Sequence, residues 1–159
     1  DFDGTDIMLE ASFSKDEGAF DRATANLVTN HDFAVDANWT LASGASISNG
    51  QLTLSANSAL ITAVQNIGDQ TGNTLEITYT VVSNNTSSGN LRLGGTSGAS
   101  FTSLINLTAS VGTHTVFVEV ASTGSNSVLD IYLTSAVTSG SLVLDNVTVT
   151  EYAITPKSV

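Results

Sequence analysis

From Asn26 to Tyr152 apolar residues alternate with Ser, Thr and Asn in short runs separated by Gly and Asn clusters. Alternation of period two places every second side chain on one face of a β-strand. The runs predict strands at Asn26–Thr29, Trp39–Ala42, Ala45–Ile47, Gln51–Ser55, Leu60–Ile67, Thr74–Ser83, Asn90–Leu93, Ser100–Leu107, His114–Ala121, Ser127–Thr134 and Ser141–Tyr152. Asn49-Gly50 between two of them is a strong hairpin signal, because both residues accept positive φ. Gly68–Gly72, Asn84–Gly89, Gly94–Gly98, Gly124–Asn126 and Ser139-Gly140 read as turns. No helical period runs through this region. Strands at this spacing predict an all-β, two-sheet antiparallel jelly-roll sandwich.

Residues 1–25 differ. They hold seven of the 15 acids and no clean period, which predicts an acidic N-terminal arm or linker. Ser14 followed by Glu17 allows a short capped helix near Ser14–Thr24. The domain is thus expected at 26–152, with a tail at 153–159. The chain opens Asp1-Phe2-Asp3 without Met or a signal-peptide pattern, which predicts a processed chain or a piece of a longer one.

Composition narrows the function. Four basic residues against 15 acids leave a net charge of −11, which argues against nucleic-acid backbone binding. No run is long and apolar enough to predict a membrane span. With no Cys, disulfides and thiolate metal sites are excluded. His31 and His114 lack metal-ligand spacing and read as surface or turn residues. No Gly-x-Ser-x-Gly elbow, Walker loop or His-Glu-x-x-His helix is present, so the chain is expected not to be an enzyme.

Two segments carry a family likeness. Asn26-Leu-Val-Thr-Asn-His-Asp-Phe33 with Trp39 resembles the opening of jelly-roll carbohydrate-binding modules of families 4, 9 and 22, within the galactose-binding-like group. Their opening usually has Gly and Glu where His31 and Ala34 stand here. Leu144-Asp145-Asn146-Val147 is similar to their closing strand. The same opening recurs in phage tail and fibre proteins after an Arg-Ala-Ser/Thr lead-in, which Phe20-Asp-Arg-Ala-Thr-Ala25 resembles. The resemblance implies a structural Ca²⁺ held by Asp145 with Asn26, Asp32 and backbone carbonyls, oxygen donors that suit this ion. The alternative is that Asp145 caps backbone N–H groups or pairs with Arg22. Behind the calcium expectation lies a reading of the last strand with Val143, Asp145, Val147 and Val149 on one face, where a carboxylate needs a partner.

Alternation in the longer strands leaves Phe117 and Glu119, Asp130 and Tyr132, and Arg92 pointing outward. Together on one sheet they would offer a sugar an apolar plate with flanking hydrogen-bonding groups. The alternative is that they lie against another subunit or under a loop. Trp39 and Tyr79 are expected in the core instead. The resemblance and the Lys-poor composition imply an extracellular, non-catalytic virion surface module: a phage fibre, tail appendage or capsid decoration. Its partners would be other virion proteins, copies of itself or a host glycan. The alternative is a carbohydrate-binding module of a secreted bacterial polysaccharide-degrading enzyme.

Overall fold

A computed structural model describes residues 25–57, 59–87, 90–94, 105–134 and 138–152. Ten strands form: β1 (Thr40–Ala42), β2 (Ala45–Ser48), β3 (Gln51–Ser55), β4 (Ile61–Asn66), β5 (Thr74–Asn84), β6 (Leu91–Leu93), β7 (Ile105–Asn106), β8 (Gly112–Glu119), β9 (Val128–Leu133) and β10 (Ser141–Glu151). They make two five-stranded sheets, ordered β1-β4-β9-β6-β7 and β2-β3-β10-β5-β8, with every pairing antiparallel. This is the jelly-roll sandwich that the alternation predicts. The expected arm and its helix at Ser14–Thr24 lie outside the described residues, as do the C-terminal tail and the first part of the strand expected at Ser100–Leu107.

The core forms where the inward faces meet. Ile61 and Ala63 of β4, Leu129, Ile131 and Leu133 of β9, and Leu91 and Leu93 of β6 come from one sheet. Leu52 and Leu54 of β3, Leu75, Ile77, Tyr79 and Val81 of β5, Val118 of β8, and Leu142, Leu144, Val147 and Val149 of β10 come from the other. Trp39 and Tyr79 are buried as expected. Burial pushes the Tyr79 phenol above its ordinary pKa, although its hydroxyl donates to the Thr108 carbonyl at 3.0 Å.

Asn49 and Gly50 both take positive φ, 53° and 71°, in the two-residue turn joining β2 to β3. Asn26–Thr29 does not form a strand. Asn26 makes a single bridge to Thr150, and Leu27 N–H donates to the Val149 carbonyl at 2.7 Å. The two ends of the domain therefore meet, through a clamp in place of a paired strand. At the sandwich end Asn126 and Gln70 form a buried polar plug. Asn126 Nδ2 reaches the Thr123 carbonyl and Thr71 Oγ1, and Gln70 Oε1 accepts from Asn73 Nδ2.

Candidate functional site: a cleft on the outer face of one sheet

The outer face of the β1-β4-β9-β6-β7 sheet is built in rows, because residues paired across antiparallel strands point to the same side. One row runs Ala42, Thr62, Tyr132, Arg92, Asn106. The next holds Thr40, Val64 and Asp130, and the third Asn66 and Val128. Over the second and third rows lies an open cleft of about 470 Å³, lined by Thr29, Asn38, Thr40, Val64, Gln65, Asn66 and Val128. The lining offers hydroxyls and amides above two valines, and no acid.

Gln65 fixes the cleft rim. It continues the inward positions of Ile61 and Ala63 and is buried. Its Oε1 accepts from Thr29 N–H at 2.8 Å, and its Nε2 donates to the Thr29 carbonyl at 2.9 Å and the Asn38 carbonyl at 3.2 Å. One side chain thereby ties the opening segment and the loop before β1 to β4. Asn30 shapes that loop: its Nδ2 donates to the carbonyls of Val35 and Ala37, at 2.6 and 2.9 Å. A polar residue at an inward position of β4 was the available signal for Gln65, and for Asn30 it was its place in the opening segment Asn26–Phe33.

The five residues expected to share one sugar-binding face are divided. Arg92, Asp130 and Tyr132 lie on this sheet, but Phe117 and Glu119 sit on β8 of the other. Consecutive β8 and β9 belong to opposite sheets, so equal alternation does not bring them to one surface. Asp130 and Tyr132 do point outward, yet they are 0 % and 5 % exposed, so neither is an open platform. Arg92 is half-buried and donates from Nε to Asn106 Oδ1 at 2.9 Å. Phe117 is 58 % exposed, its ring 5.4 Å from that of Tyr152.

Two of the three expected calcium donors, Asn26 and Asp145, lie apart along β10. A register shift within Asp145–Thr148, with Asn146 at φ 51°, marks a β-bulge. It reverses the phase of β10, so Leu142 and Leu144 point inward before it and Val147 and Val149 after it, while Asp145 turns to the outer face. The expectation that Val143, Asp145, Val147 and Val149 share one face is corrected accordingly. Asp145 Oδ1 accepts from Asn146 N–H at 2.7 Å. Asn26 Oδ1 accepts from Val28 and Val149 N–H, at 3.1 and 3.0 Å, and Asp32 Oδ1 accepts from Ala34 N–H at 3.3 Å. Asn26 bridges Thr150, which places it about 13 Å along β10 from Asp145, beyond the reach of ligands at about 2.4 Å from a shared ion. Asn26 and Asp145 do not reach one ion together, and among the described residues no group of three or more His, Asp and Glu suited to a metal occurs. The melting temperature is expected to be the same in EDTA and in added Ca²⁺; a drop of several degrees on chelation would reveal a site elsewhere.

His114 departs from the surface or turn position expected for it. It lies in β8 on the inward side, half-buried, with Nε2 2.7 Å from the Ser110 carbonyl and its ring 5.5 Å from that of Tyr79. His31 is in a turn, as expected, and its carbonyl accepts from Val147 N–H at 2.9 Å. Among the described residues, no helix is long and apolar enough to cross a membrane.

No protein-family model matches the chain, and no curated protein matches it. Solved structures do. The enzymatically active domain of tailspike protein 4 of bacteriophage CBA120 matches with TM-score 0.56 and 18 % identity over 79 % of this chain. The match spans only 21 % of the tailspike chain, about a fifth of its length. A family 4 carbohydrate-binding module matches at TM-score 0.45 and 18 % identity, over 85 % of this chain and 97 % of that one. A family 29 carbohydrate-binding module complexed with cellulohexaose matches at 0.47 and 13 %, over 86 % and 94 %. The fold is a jelly roll similar to that of a tailspike segment.

Proposed function

We propose that this domain is a non-catalytic glycan-adhesion module on the outside of a phage particle, with the cleft on the β1-β4-β9-β6-β7 sheet as its sugar site. The cleft carries the reading. A pyranose presents hydroxyls around its rim and C–H groups on its faces, and the lining answers both. Thr29, Thr40, Asn38 and Asn66 supply donors and acceptors, and Val64 and Val128 supply apolar contact. Sites of this openness bind in the micromolar to millimolar range, or about −4 to −8 kcal/mol. Many copies on one particle raise avidity without tight single sites. The tailspike likeness supports the phage setting. The opening motif ending at Phe33 and Trp39 supports a second reading, a carbohydrate-binding module that directs a secreted bacterial polysaccharide-degrading enzyme to its substrate. Genomic neighbours separate the two: virion structural genes for the first, a glycoside hydrolase domain for the second.

A glycan array followed by calorimetry tests the site. Thr40→Val removes a hydroxyl at nearly constant shape. Asn66→Asp keeps the acceptor for Gly68 N–H, 2.9 Å away, but loses the amide donor. Each is expected to weaken binding about tenfold, the loss of about 1.4 kcal/mol for one polar contact, with Tm unchanged. Phe117→Ala, on the other sheet, is expected to bind as wild type. Cleft variants with wild-type affinity, or no glycan bound by any of these proteins, would reject the proposal.

A further inference from the structure

The edge of the second sheet has a chemistry of its own. β8 is its last strand, eight residues long, and among the described residues it pairs with β5 alone. Val120 N–H donates to the Asn73 carbonyl, while the Thr74 carbonyl is taken by Tyr152 N–H on the β10 side. Glu119 and Thr74 are therefore a pair without mutual backbone bonds, and the ladder alternates from there. Val118, Val116, His114 and Gly112 bond to β5. The N–H and C=O groups of Glu119, Phe117, Thr115 and Thr113 point away from the sheet. The short Oγ1–Oγ1 contacts of Thr115 with Thr78 and Thr113 with Thr80, 3.0 Å each, fit the closer side chains of such pairs.

Sheet edges with free backbone groups are normally shielded by charge, Pro or a bulge. β8 has no Pro, Lys or Arg, and its register with β5 is unbroken. Its outward side chains Thr113, Thr115 and Phe117 are neutral and exposed, in a chain of net charge −11. Glu119 alone is charged, and it stands at the strand's end. An edge that is quiet in the middle and acidic at one end is complementary to its own reversed copy.

We propose that two copies of this chain pair antiparallel through β8, joining their sheets across a two-fold axis at Val116. In that register Thr115 faces Phe117 of the second copy, and Thr113 faces its Glu119. The two Phe117 rings become diagonal neighbours, about 7–8 Å apart, and cover the centre of the seam. The two Glu119 carboxylates stand about 20 Å apart, more than the Debye length of about 8 Å at physiological salt. The registers centred on Thr115 and on Phe117 each pair three of these four residues within β8 and send the fourth, Glu119 or Thr113, beyond the strand; the first moves the Phe117 rings of the two copies to about 14 Å apart, and the second brings the Glu119 carboxylates to about 14 Å. Pairing of all four residues within the strand selects the Val116 register.

Sedimentation velocity and oxidative cross-linking on the full chain test this. Wild type is expected to dimerise with rising concentration, more strongly in about 0.5 M NaCl as the net negative charge is screened. Phe117→Lys, at an exposed position, is expected to be monomeric with unchanged Tm. Because the chain has no Cys, Val116→Cys is expected to give a disulfide-linked dimer under mild oxidation and Thr115→Cys not. A wild type that stays monomeric at millimolar concentration in high salt would overturn the proposal. So would a Phe117→Lys protein that dimerises like wild type, or cross-linking through Thr115→Cys instead of Val116→Cys.

Discussion

Phe33→Ala is expected to lower unfolding stability by about 3–5 kcal/mol, read as a fall in the urea midpoint at constant m-value. The Phe33 ring is 0 % exposed and packs on Trp39 with centroids 5.4 Å apart. Its backbone takes φ 51°, a left-handed conformation that costs a residue with a Cβ about 1 kcal/mol or more. Burial of the ring is what holds that turn. Alanine keeps the backbone cost and loses the ring, so little relaxation offsets the cavity. The effect reaches the cleft, because Trp39 Nε1 donates to the Asn30 carbonyl at 3.2 Å and Asn30 orders the loop leading to Asn38. Glycan affinity is expected to fall along with stability. For a domain of ordinary stability, about 5–15 kcal/mol, the loss is a large share of the total. A loss below about 1 kcal/mol would show that the opening segment packs outside the core.

The sandwich is legible in the chain because most of its strands bury one face, and a one-residue slip would turn every apolar residue outward. β3 is predicted at its observed bounds, and β4, β5 and β9 to within about two residues. Four features escape this logic. β10 reads Leu-Val-Leu-Asp-Asn-Val-Thr-Val, with apolar residues in both phases before the bulge, so alternation alone does not choose which face Asp145 takes. Asn146 at positive φ was the clue, since Asn accepts the left-handed region more readily than most residues. Sheet membership is set by long-range pairing. Nothing within β8 or β9 says that Phe117 and Tyr132 belong to opposite layers. The interior position of β9 is hidden as well, because Asp130 and Tyr132 look like solvent-facing residues until both faces of the strand are covered. The cleft is the least legible of all. Thr29, Asn38, Thr40, Gln65 and Val128 come from separated segments and share no motif.

Gly140→Ala is expected to cost about 3 kcal/mol or more, from two penalties that a comparison separates. Gly140 holds φ 85°, where an L side chain is strained by about 1–2 kcal/mol. A Cβ there would also lie 2.2 Å from the Asn85 carbonyl oxygen and 2.7 Å from its carbon. Those are backbone atoms, and they are fixed. Asn85 N–H donates to the Ser141 carbonyl at 3.1 Å, Ser141 N–H returns a bond to Asn85 Oδ1 at 2.7 Å, and the Gly140 carbonyl accepts from Ala56 N–H at 2.8 Å. The ends of β3 and β5 and the start of β10 are thus held together around this glycine, and a methyl group must pry them apart. Gly72→Ala is the reference: φ is 79°, with nothing within 4 Å of the added Cβ, so only the backbone cost of about 1–2 kcal/mol is expected. Gly44→Ala isolates the other penalty, because its Cβ would meet the Ser55 carbonyl oxygen at 2.1 Å without a left-handed φ. The expected order of melting temperatures is wild type, then Gly72→Ala, with Gly44→Ala and Gly140→Ala well below. If Gly140→Ala melts with Gly72→Ala, the three strand ends do not approach one another as closely as this sheet requires.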